Sequence, residues 1–326
     1  MKMVAQSKRN QLKGRVFELQ KLSLRRCLEP SEACSKPPIR AHSIQNATVL
    51  NKLCCDGHVI MPRLKAQSTG QTGVSFELIG RRQATTFTGL CGKHDHAIFD
   101  PIDKGPIDGC SEEHLFLLAY RSVLRELHAV LTGAFKIQLG FQEKVVLGLV
   151  RGDVPTADGV RATEQLMNAF DSYQYKREYD AACSEKEFGR IEHVPFFERG
   201  WLPTIAVSAL FSLDSIVVGD DVARVALNVY PSENGMMVVF SFLKNHAQYI
   251  RPFLEPFRAV SGDRLLQMVS VRTLNSCENF VIAPSFWNGL NDSKKRAIRD
   301  FYVSSLLADA GDLENRDFML FSPDRA

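Results

Sequence analysis

Hydrophobic residues recur at helical spacing in several stretches of this chain. Near the start, Leu12, Val16 and Leu19 lie three or four residues apart, which predicts a short amphipathic helix. Ser111 precedes two glutamates and a long apolar periodicity, so a helix with a serine cap is predicted over residues 111–135. The other predicted helices span residues 43–54, 94–99, 156–187, 249–260, 264–274 and 292–307.

The second long predicted helix has its own apolar positions. Val160, Leu166, Phe170 and Tyr173 are expected on its inner face. The two long helices are expected to pack against one another as an antiparallel hairpin.

Alternating hydrophobic and polar residues indicate strands. Residues 74–79 alternate after a polar loop over 67–73, and beyond Gly200 the hydrophobic period changes from that of a helix to that of a strand. The predicted strands there span residues 204–211, 224–230 and 236–243, the last two separated by turn residues. Helices and strands in separate blocks predict an α+β fold.

Composition excludes some classes of protein. No run of residues approaches the roughly 18 consecutive apolar residues of a membrane span; the best runs are 205–211 and 236–242. The basic start lacks the apolar core of a secretory signal, so we expect a cytoplasmic protein with no membrane partner. The sequence also lacks the glycine-rich nucleotide motifs and the Gly-x-Ser-x-Gly elbow, which removes support for nucleotide hydrolysis and for hydrolase chemistry.

Charge is distributed unevenly along the chain. The net charge is +3, yet residues 1–100 contain 16 Lys and Arg against 7 Asp and Glu, whereas residues 101–326 are acidic overall. A basic segment attracts polyanions by neutralising phosphates and releasing counterions. A solvated basic face with no ligand is the alternative.

Four residues of the basic part have the chemistry of a zinc site. Cys91 and His94 form a Cys-x2-His pair at a predicted helix start, and Cys27 and Cys34 precede them on a proline-rich turn. Three thiols and one imidazole can complete a tetrahedral Zn²⁺ site. The adjacent Cys54 and Cys55 compete as possible ligands.

The zinc ligands and the composition together divide the chain. The 326 residues, 45% of them hydrophobic, are sufficient for about two domains. Two prolines and two glycines within residues 100–109 mark the predicted boundary. The predicted parts are a basic N-terminal segment (1–26), a zinc module (27–103) and an α+β domain that begins with the two long helices (110–326).

Residues 27–100 resemble a treble-clef zinc finger and, more loosely, an HNH-type nuclease finger. The resemblance implies that His42 is a general base and that Asp95 or His96 holds a catalytic Mg²⁺ or Mn²⁺ ion, although Ala41 stands where that family has an acidic ligand. A finger that is purely structural is the alternative. The segments His-Ser-Ile-Gln (42–45), Gly-Leu-Cys-x2-His-Asp (89–95) and Phe-Asp-Pro-Ile-Asp (99–103) also resemble uncharacterised bacterial proteins, some of them encoded near phage-defence systems.

Three functions follow as hypotheses. The first is a zinc-stabilised protein that binds DNA or RNA in bacterial anti-phage defence, the second is a metal-dependent HNH-like endonuclease, and the third is a scaffold whose acidic C-terminal domain holds a protein partner. The cationic residues expected to contact phosphate are Arg25, Arg26, Arg40, Arg81, Arg82 and Lys93.

Other candidate groups have weaker signals. Arg121 and His128 lie two helical turns apart, a spacing similar to the Arg/His pair of HEPN ribonucleases. Asp214, Asp220 and Asp221 flank predicted strands and are candidate metal ligands or solvated loop acids. The isolated cysteines are expected to be small buried hydrophobic residues: Cys110, Cys183 and Cys277.

Overall fold

A computed structural model describes residues 2–31, 33–66, 72–218, 221–307 and 317–324. The helices are α1 (Lys2–Gln20), α2 (Asn51–Leu53), α3 (Gly92–Asp103), α4 (Glu112–Val146), α5 (Ala157–Glu185), α6 (Ala247–Arg258), α7 (Gly262–Ser276), α8 (Pro284–Gly289) and α9 (Asp292–Leu307). The strands are β1 (Ala41–His42), β2 (His58–Ala66), β3 (Thr72–Gly80), β4 (Thr86–Phe87), β5 (Ile191–Arg199), β6 (Ile205–Val218), β7 (Asp221–Ser232), β8 (Gly235–Leu243) and β9 (Phe280–Ile282). The predicted α+β class is confirmed.

Seven strands form one antiparallel sheet in the order β3-β2-β9-β6-β7-β8-β5. The predicted hairpin of the last two strands is β7–β8, which turns at Ser232↔Gly235. The short strands β1 and β4 pair separately and antiparallel, with Ala41 opposite Phe87.

Both faces of the sheet are covered, and strand alternation decides which side chain enters which core. On β6, Val207 and Phe211 pack with α6, α7 and α9, whereas Ala206 and Leu210 pack with α4 and α5. Side chains of successive strand residues point to opposite faces, so a buried strand must be apolar at nearly every position. The sheet is therefore the middle layer between two helical layers.

The segment around the predicted zinc ligands belongs to one of these cores. Cys27, Leu50, Leu90 and Cys91 are buried in the same hydrophobic cluster as the inner residues of α4 and α5. Strands β2 and β3 also place residues from before the predicted boundary in the seven-stranded sheet. That the parts before and after residues 100–109 fold as separate units stays a prediction. In the structure, both parts contribute strands to the same sheet.

Buried hydrogen bonds connect the layers through the sheet. The Asn279 amide donates to Ser43 Oγ at 2.8 Å and to the Ser208 carbonyl at 2.6 Å. Ser43 Oγ in turn donates to the Thr85 carbonyl at 2.9 Å, and Ser208 Oγ lies 2.9 Å from Ser122 Oγ on α4. These polar groups are buried, and their pairing offsets the cost of removing them from water.

The helical hairpin of α4 and α5 is present, but three of the four inner positions predicted for α5 are wrong, and the fourth, Tyr173, is half-buried. Val160, Leu166 and Phe170 are exposed, whereas Ala162 and Ala169 are buried. Ser111 caps α4 as predicted, since its side chain accepts a hydrogen bond from the His114 N–H.

Some predictions fall outside the described residues. Residues 67–71 of the predicted loop and Asp220 are not described, and the side chains of Asp214 and Asp221 are not described either. Of the isolated cysteines, Cys277 is buried as expected, Cys183 is half-buried and Cys110 is exposed.

Candidate metal centre

Three backbone segments meet at the predicted zinc ligands. The Leu28 N–H donates to the Gly89 carbonyl and the Ile39 N–H donates to the Leu90 carbonyl, both at 2.8 Å. The Cys91 N–H donates to Cys27 Sγ at 3.2 Å. The turn that carries the first two cysteines is therefore fastened to the segment that carries the third.

The four side chains converge on one point. The ligand atoms of Cys27, Cys34, Cys91 and His94 all lie within 4.8 Å of one another. His94 Nδ1 lies 3.5 Å from the Sγ atoms of Cys27 and Cys91, and the Sγ atoms of Cys34 and Cys91 are 3.7 Å apart. Tetrahedral zinc with bonds of about 2.3 Å to sulfur and 2.0 Å to nitrogen places two sulfurs about 3.8 Å apart and sulfur about 3.5 Å from nitrogen. The cluster is thus compatible with a zinc ion.

The cluster supplies a complete set of protein ligands. Cys27 and Cys91 are buried, and Cys34 and His94 are half-buried. Four protein ligands leave no open coordination position, which is typical of structural rather than catalytic zinc sites. The competing cysteines do not belong to the converging group. The Cys54 thiol donates to the Asn51 carbonyl, and Cys55 is exposed.

The two buried thiols have opposite pKa shifts. Burial raises the pKa of the Cys27 thiol to about 11. Burial also opposes ionisation of Cys91, but hydrogen bonds from the His94 N–H, from the Cys34 and Cys27 thiols and from the Lys93 N–H together lower the pKa of Cys91. Cys91 is the residue before α3, where unpaired backbone N–H groups favour negative charge. Metal binding requires thiolates, so uptake of the ion releases protons.

A buried glutamate shapes the first turn. The Glu29 carboxylate accepts hydrogen bonds from the Ser31 N–H at 2.9 Å, from the Ser31 hydroxyl, and from the Cys34 N–H at 3.0 Å. The bond from the Ser31 hydroxyl contributes most to lowering the pKa of Glu29. The ionised carboxylate thus holds Cys34 in position relative to Cys27.

A buried ion pair supports the same turn from α5. Lys176 Nζ donates to the Leu28 carbonyl at 2.6 Å and to Asp180 Oδ2 at 2.7 Å, and the Tyr120 hydroxyl donates to Asp180 Oδ1 at 2.6 Å. Lys176 is only 2% exposed. No sequence pattern indicated this group, because its members come from α4, α5 and the turn.

The residues predicted to be catalytic do not form a second metal site among the described residues. His42 Nε2 contacts the Arg81 carbonyl at 3.0 Å, and burial lowers the pKa of His42. Asp95 is buried, which raises its pKa, whereas His96 is exposed. In the part of the chain that the structure describes, no bond joins His42 to Asp95 or His96, and no other group of three metal-binding side chains converges. A Mg²⁺ or Mn²⁺ site is not supported.

Arg121 and His128 do not share a phosphate-sized site. Arg121 makes two hydrogen bonds of 2.7 Å to Asp103, and its guanidinium lies 4.1 Å from the centre of the Phe99 ring. His128 Nε2 lies 3.0 Å from Thr88 Oγ1. Both side chains are buried, and the charged partner of Arg121, Asp103, lies on α3.

Five of the six predicted cationic residues are exposed: Arg25, Arg26, Arg40, Arg82 and Lys93. Arg81 is half-buried, and its guanidinium donates to Asn51 Oδ1 at 2.7 Å. Arg26 directly precedes Cys27 and Lys93 directly precedes His94, so chain connectivity places these cations beside the metal ligands.

The chain matches no protein-family model, no curated protein and no solved structure. Within the described residues, no helix has the length and apolar character needed to cross a bilayer. What the protein does is therefore inferred from the chemistry of its own residues.

Proposed function

We propose that this chain is a nucleic-acid-binding protein whose N-terminal part is stabilised by structural Zn²⁺ held by Cys27, Cys34, Cys91 and His94. The spacing of their ligand atoms, which matches a tetrahedral zinc site, is the observation that carries the zinc proposal. When bound, the ion would fasten the first turn to the start of α3.

Nucleic-acid binding is supported by the charge around the same ligands. Zn²⁺ with three thiolates and a neutral imidazole has one net negative charge, whereas Arg25, Arg26 and Lys93 beside it are exposed. Exposed cations of this kind contribute sequence-independent affinity through phosphate contacts. We further propose that the zinc-binding part is a treble-clef-like finger and that the protein acts in phage defence.

The salt dependence of binding tests this function. We expect the affinity for a labelled DNA duplex or RNA strand to fall steeply with salt, by about 0.9 unit of log K per unit of log salt for each DNA phosphate contact. A variant in which Arg25, Arg26 and Lys93 are replaced by Gln is expected to reduce that slope by about one unit per lost contact. Fluorescence anisotropy at several salt concentrations measures both.

In the matched control, Gln replaces three cations on α9, namely Lys294, Lys295 and Arg296. Helix α9 packs on the other face of the sheet from the metal ligands, so the slope is expected to stay unchanged. Zinc content is measured for each variant, because Lys93 lies between two ligands. Equal slopes for the two triple variants, or binding that does not depend on salt, would contradict the proposal.

An HNH-like endonuclease is the second candidate function, and it is supported by one observation. The lowered pKa of His42 keeps its imidazole neutral near pH 7, as a general base requires. Plasmid cleavage with added Mn²⁺ tests it, with His58→Ala as the matched control because His58 is exposed. If the hypothesis is right, the wild type and His58→Ala cleave the plasmid and His42→Ala does not. Cleavage by His42→Ala, or no cleavage by the wild type, excludes the nuclease function.

A further inference from the structure

A recess lies between α6 and α7, on the other face of the sheet from the metal centre. Its volume is about 520 Å³, within the range of cavities that bind small molecules. Its wall includes Phe253, Pro256, Val260, Met268, Val271 and Arg272. We call it the α6–α7 cavity.

The α6 wall of this cavity contains two prolines. Pro252 and Pro256 lie inside α6 and both line the cavity. Each interior proline lacks an N–H donor and costs a helix about 3 kcal/mol relative to alanine. The helix therefore presents apolar rings to the cavity at a cost in helix stability.

Arg272 is a cation of this wall with no anionic partner. Its guanidinium carbon lies 4.9 Å from the centre of the Phe253 ring and 5.7 Å from that of Phe211, and Nη1 donates to Ser276 Oγ at 3.3 Å. Nε is buried without a hydrogen-bond partner, and among the described residues no carboxylate pairs with Arg272. Burial lowers the pKa of this guanidinium.

Arg121, a buried arginine on α4, shows what Arg272 lacks. Arg121 also lies against a phenylalanine ring, but Asp103 accepts two of its hydrogen bonds. A buried cation is costly unless it is paired. An aromatic face offsets only a part of that cost, so Arg272 has unused capacity to bind an anion.

A second cation lies at the rim. Arg264 lines the same cavity and is exposed. Its Nη1 donates to Gln267 Oε1 at 2.8 Å, and Gln267 Nε2 donates to Asp317 Oδ1 at 2.5 Å. The cavity thus combines an apolar wall with positive charge both at the rim and in the wall.

We propose that the α6–α7 cavity binds a small amphipathic anion, with an apolar body packed against Phe253, Val260 and Met268 and a single carboxylate paired with Arg272. A bidentate pair between guanidinium and carboxylate satisfies donors that the protein leaves without an acceptor. This site is independent of the metal centre and of nucleic-acid binding.

Calorimetric titration with decanoate tests the proposal, with decanol as the uncharged probe of equal chain length. Decanoate is expected to bind the wild type more tightly than decanol does. Arg272→Met, which retains an apolar side chain of similar length, is expected to weaken decanoate binding about tenfold or more and to remove the preference for the anion. The matched control is Arg258→Met, because Arg258 is exposed on α6 and pairs with Glu255.

A second variant covers the case in which Arg272→Met fails to fold. Met268→Trp fills the cavity while Arg272 is retained, and it is expected to abolish decanoate binding. Circular dichroism and thermal unfolding confirm that each variant is folded. Equal decanoate affinity in wild type and Arg272→Met, equal affinity for decanol and decanoate, or no binding to the wild type up to the solubility limit would each overturn the proposal.

Discussion

At the residue scale, Arg121 and Asp103 show how this protein stabilises buried charge. The Arg121 side chain is 3% exposed, and Asp103, which accepts both of its hydrogen bonds, is 37% exposed. The same pair lies close enough to His42 and Asp95 to influence their pKa values. The protonation of His42 and of Asp95 therefore depends on this ion pair.

Removal of Asp103 is expected to leave Arg121 buried without an anion. We expect Asp103→Ala to lower the free energy of unfolding by about 2 kcal/mol, less than the roughly 3–5 kcal/mol of a fully buried pair because Asp103 is partly exposed. Chemical denaturation measures the change. Asp100→Ala is the control, since Asp100 pairs with the exposed Lys104; equal losses in the two variants would contradict the account.

His193 on β5 gives stability a pH dependence. Burial lowers the pKa of His193 to about 4, and its Nδ1 lies 2.8 Å from Ser241 Oγ. An unfolded histidine has a pKa of about 6.5, so below that pH the unfolded state binds a proton that the folded state does not. The contribution is fully present above pH 6.5, and about 3 kcal/mol of it is lost on acidification to pH 4.

The variant His193→Phe isolates this effect. It is expected to remove about 3 kcal/mol of the decrease in unfolding free energy between pH 6.5 and pH 4. The two proteins differ only at residue 193, so the difference between the two denaturation series belongs to His193. Parallel pH profiles for wild type and variant would contradict the assignment.

At the scale of elements, α5 supports the turn that carries the first two metal ligands. Lys176 joins the Leu28 carbonyl to Asp180, and Glu29 accepts hydrogen bonds within the turn. None of the described residues of the turn lies in a helix or strand, so these side chains and the metal ligands determine its shape. Support from α5 and metal binding are thus expected to depend on one another.

Two variants of α5 separate its roles. Lys176→Met is expected to lower the unfolding free energy by about 3 kcal/mol, because Asp180 stays buried without its cation, and to speed zinc loss to a chelator, because Leu28 loses its donor. The double variant Lys176→Met/Asp180→Leu is expected to recover stability but not zinc retention. Zinc loss at the wild-type rate in both variants would show that α5 does not support the turn.

Some elements and ligands were predictable from sequence and others were not. Cys91 and His94 are three residues apart at a helix start, so a local pattern is sufficient to find them. Strands β2 and β5 were not predicted, because each contains a proline, Pro62 and Pro195, and a proline within a run of residues argues against a strand. The structure tolerates Pro195 because β5 is an edge strand, and Pro62 because β9 pairs with β2 only at Ile60.

Side-chain pairs between distant segments were the other features that the sequence did not predict. Arg121 and Asp103 belong to different helices, and Lys176 contacts a turn 148 residues earlier in the chain. Such contacts depend on how the layers pack on the sheet, which periodicity does not describe. The prediction that Phe170 lies on the inner face was wrong for the same reason. The hydrophobic pattern of α5 does not reveal which of its faces meets α4.

At the scale of the whole molecule, one hydrophobic core connects the metal ligands with the long helices and the sheet. Cys27 and Cys91 lie in the same cluster as Leu124, Tyr179 and Val281. Loss of order at the metal centre would therefore expose apolar surface of α4 and α5.

Chelation is expected to destabilise the whole protein. Thermal unfolding with a strong zinc chelator should shift to lower temperature as one transition, because a ligand that binds only the folded state stabilises every part that unfolds with it. Calorimetric scans with and without chelator measure this. Two separate transitions, only one of them sensitive to chelator, would instead favour independent folding of residues 27–103 and 110–326.

The zinc content of the purified protein tests the central claim most directly. Mass spectrometry of metals should find about one zinc per chain in the wild type and in Cys55→Ser, and almost none in Cys91→Ser. Cys55 is the matched control because it is an exposed thiol outside the cluster. Zinc that is absent from the wild type, or that is retained equally by Cys91→Ser, would contradict the metal centre proposed here.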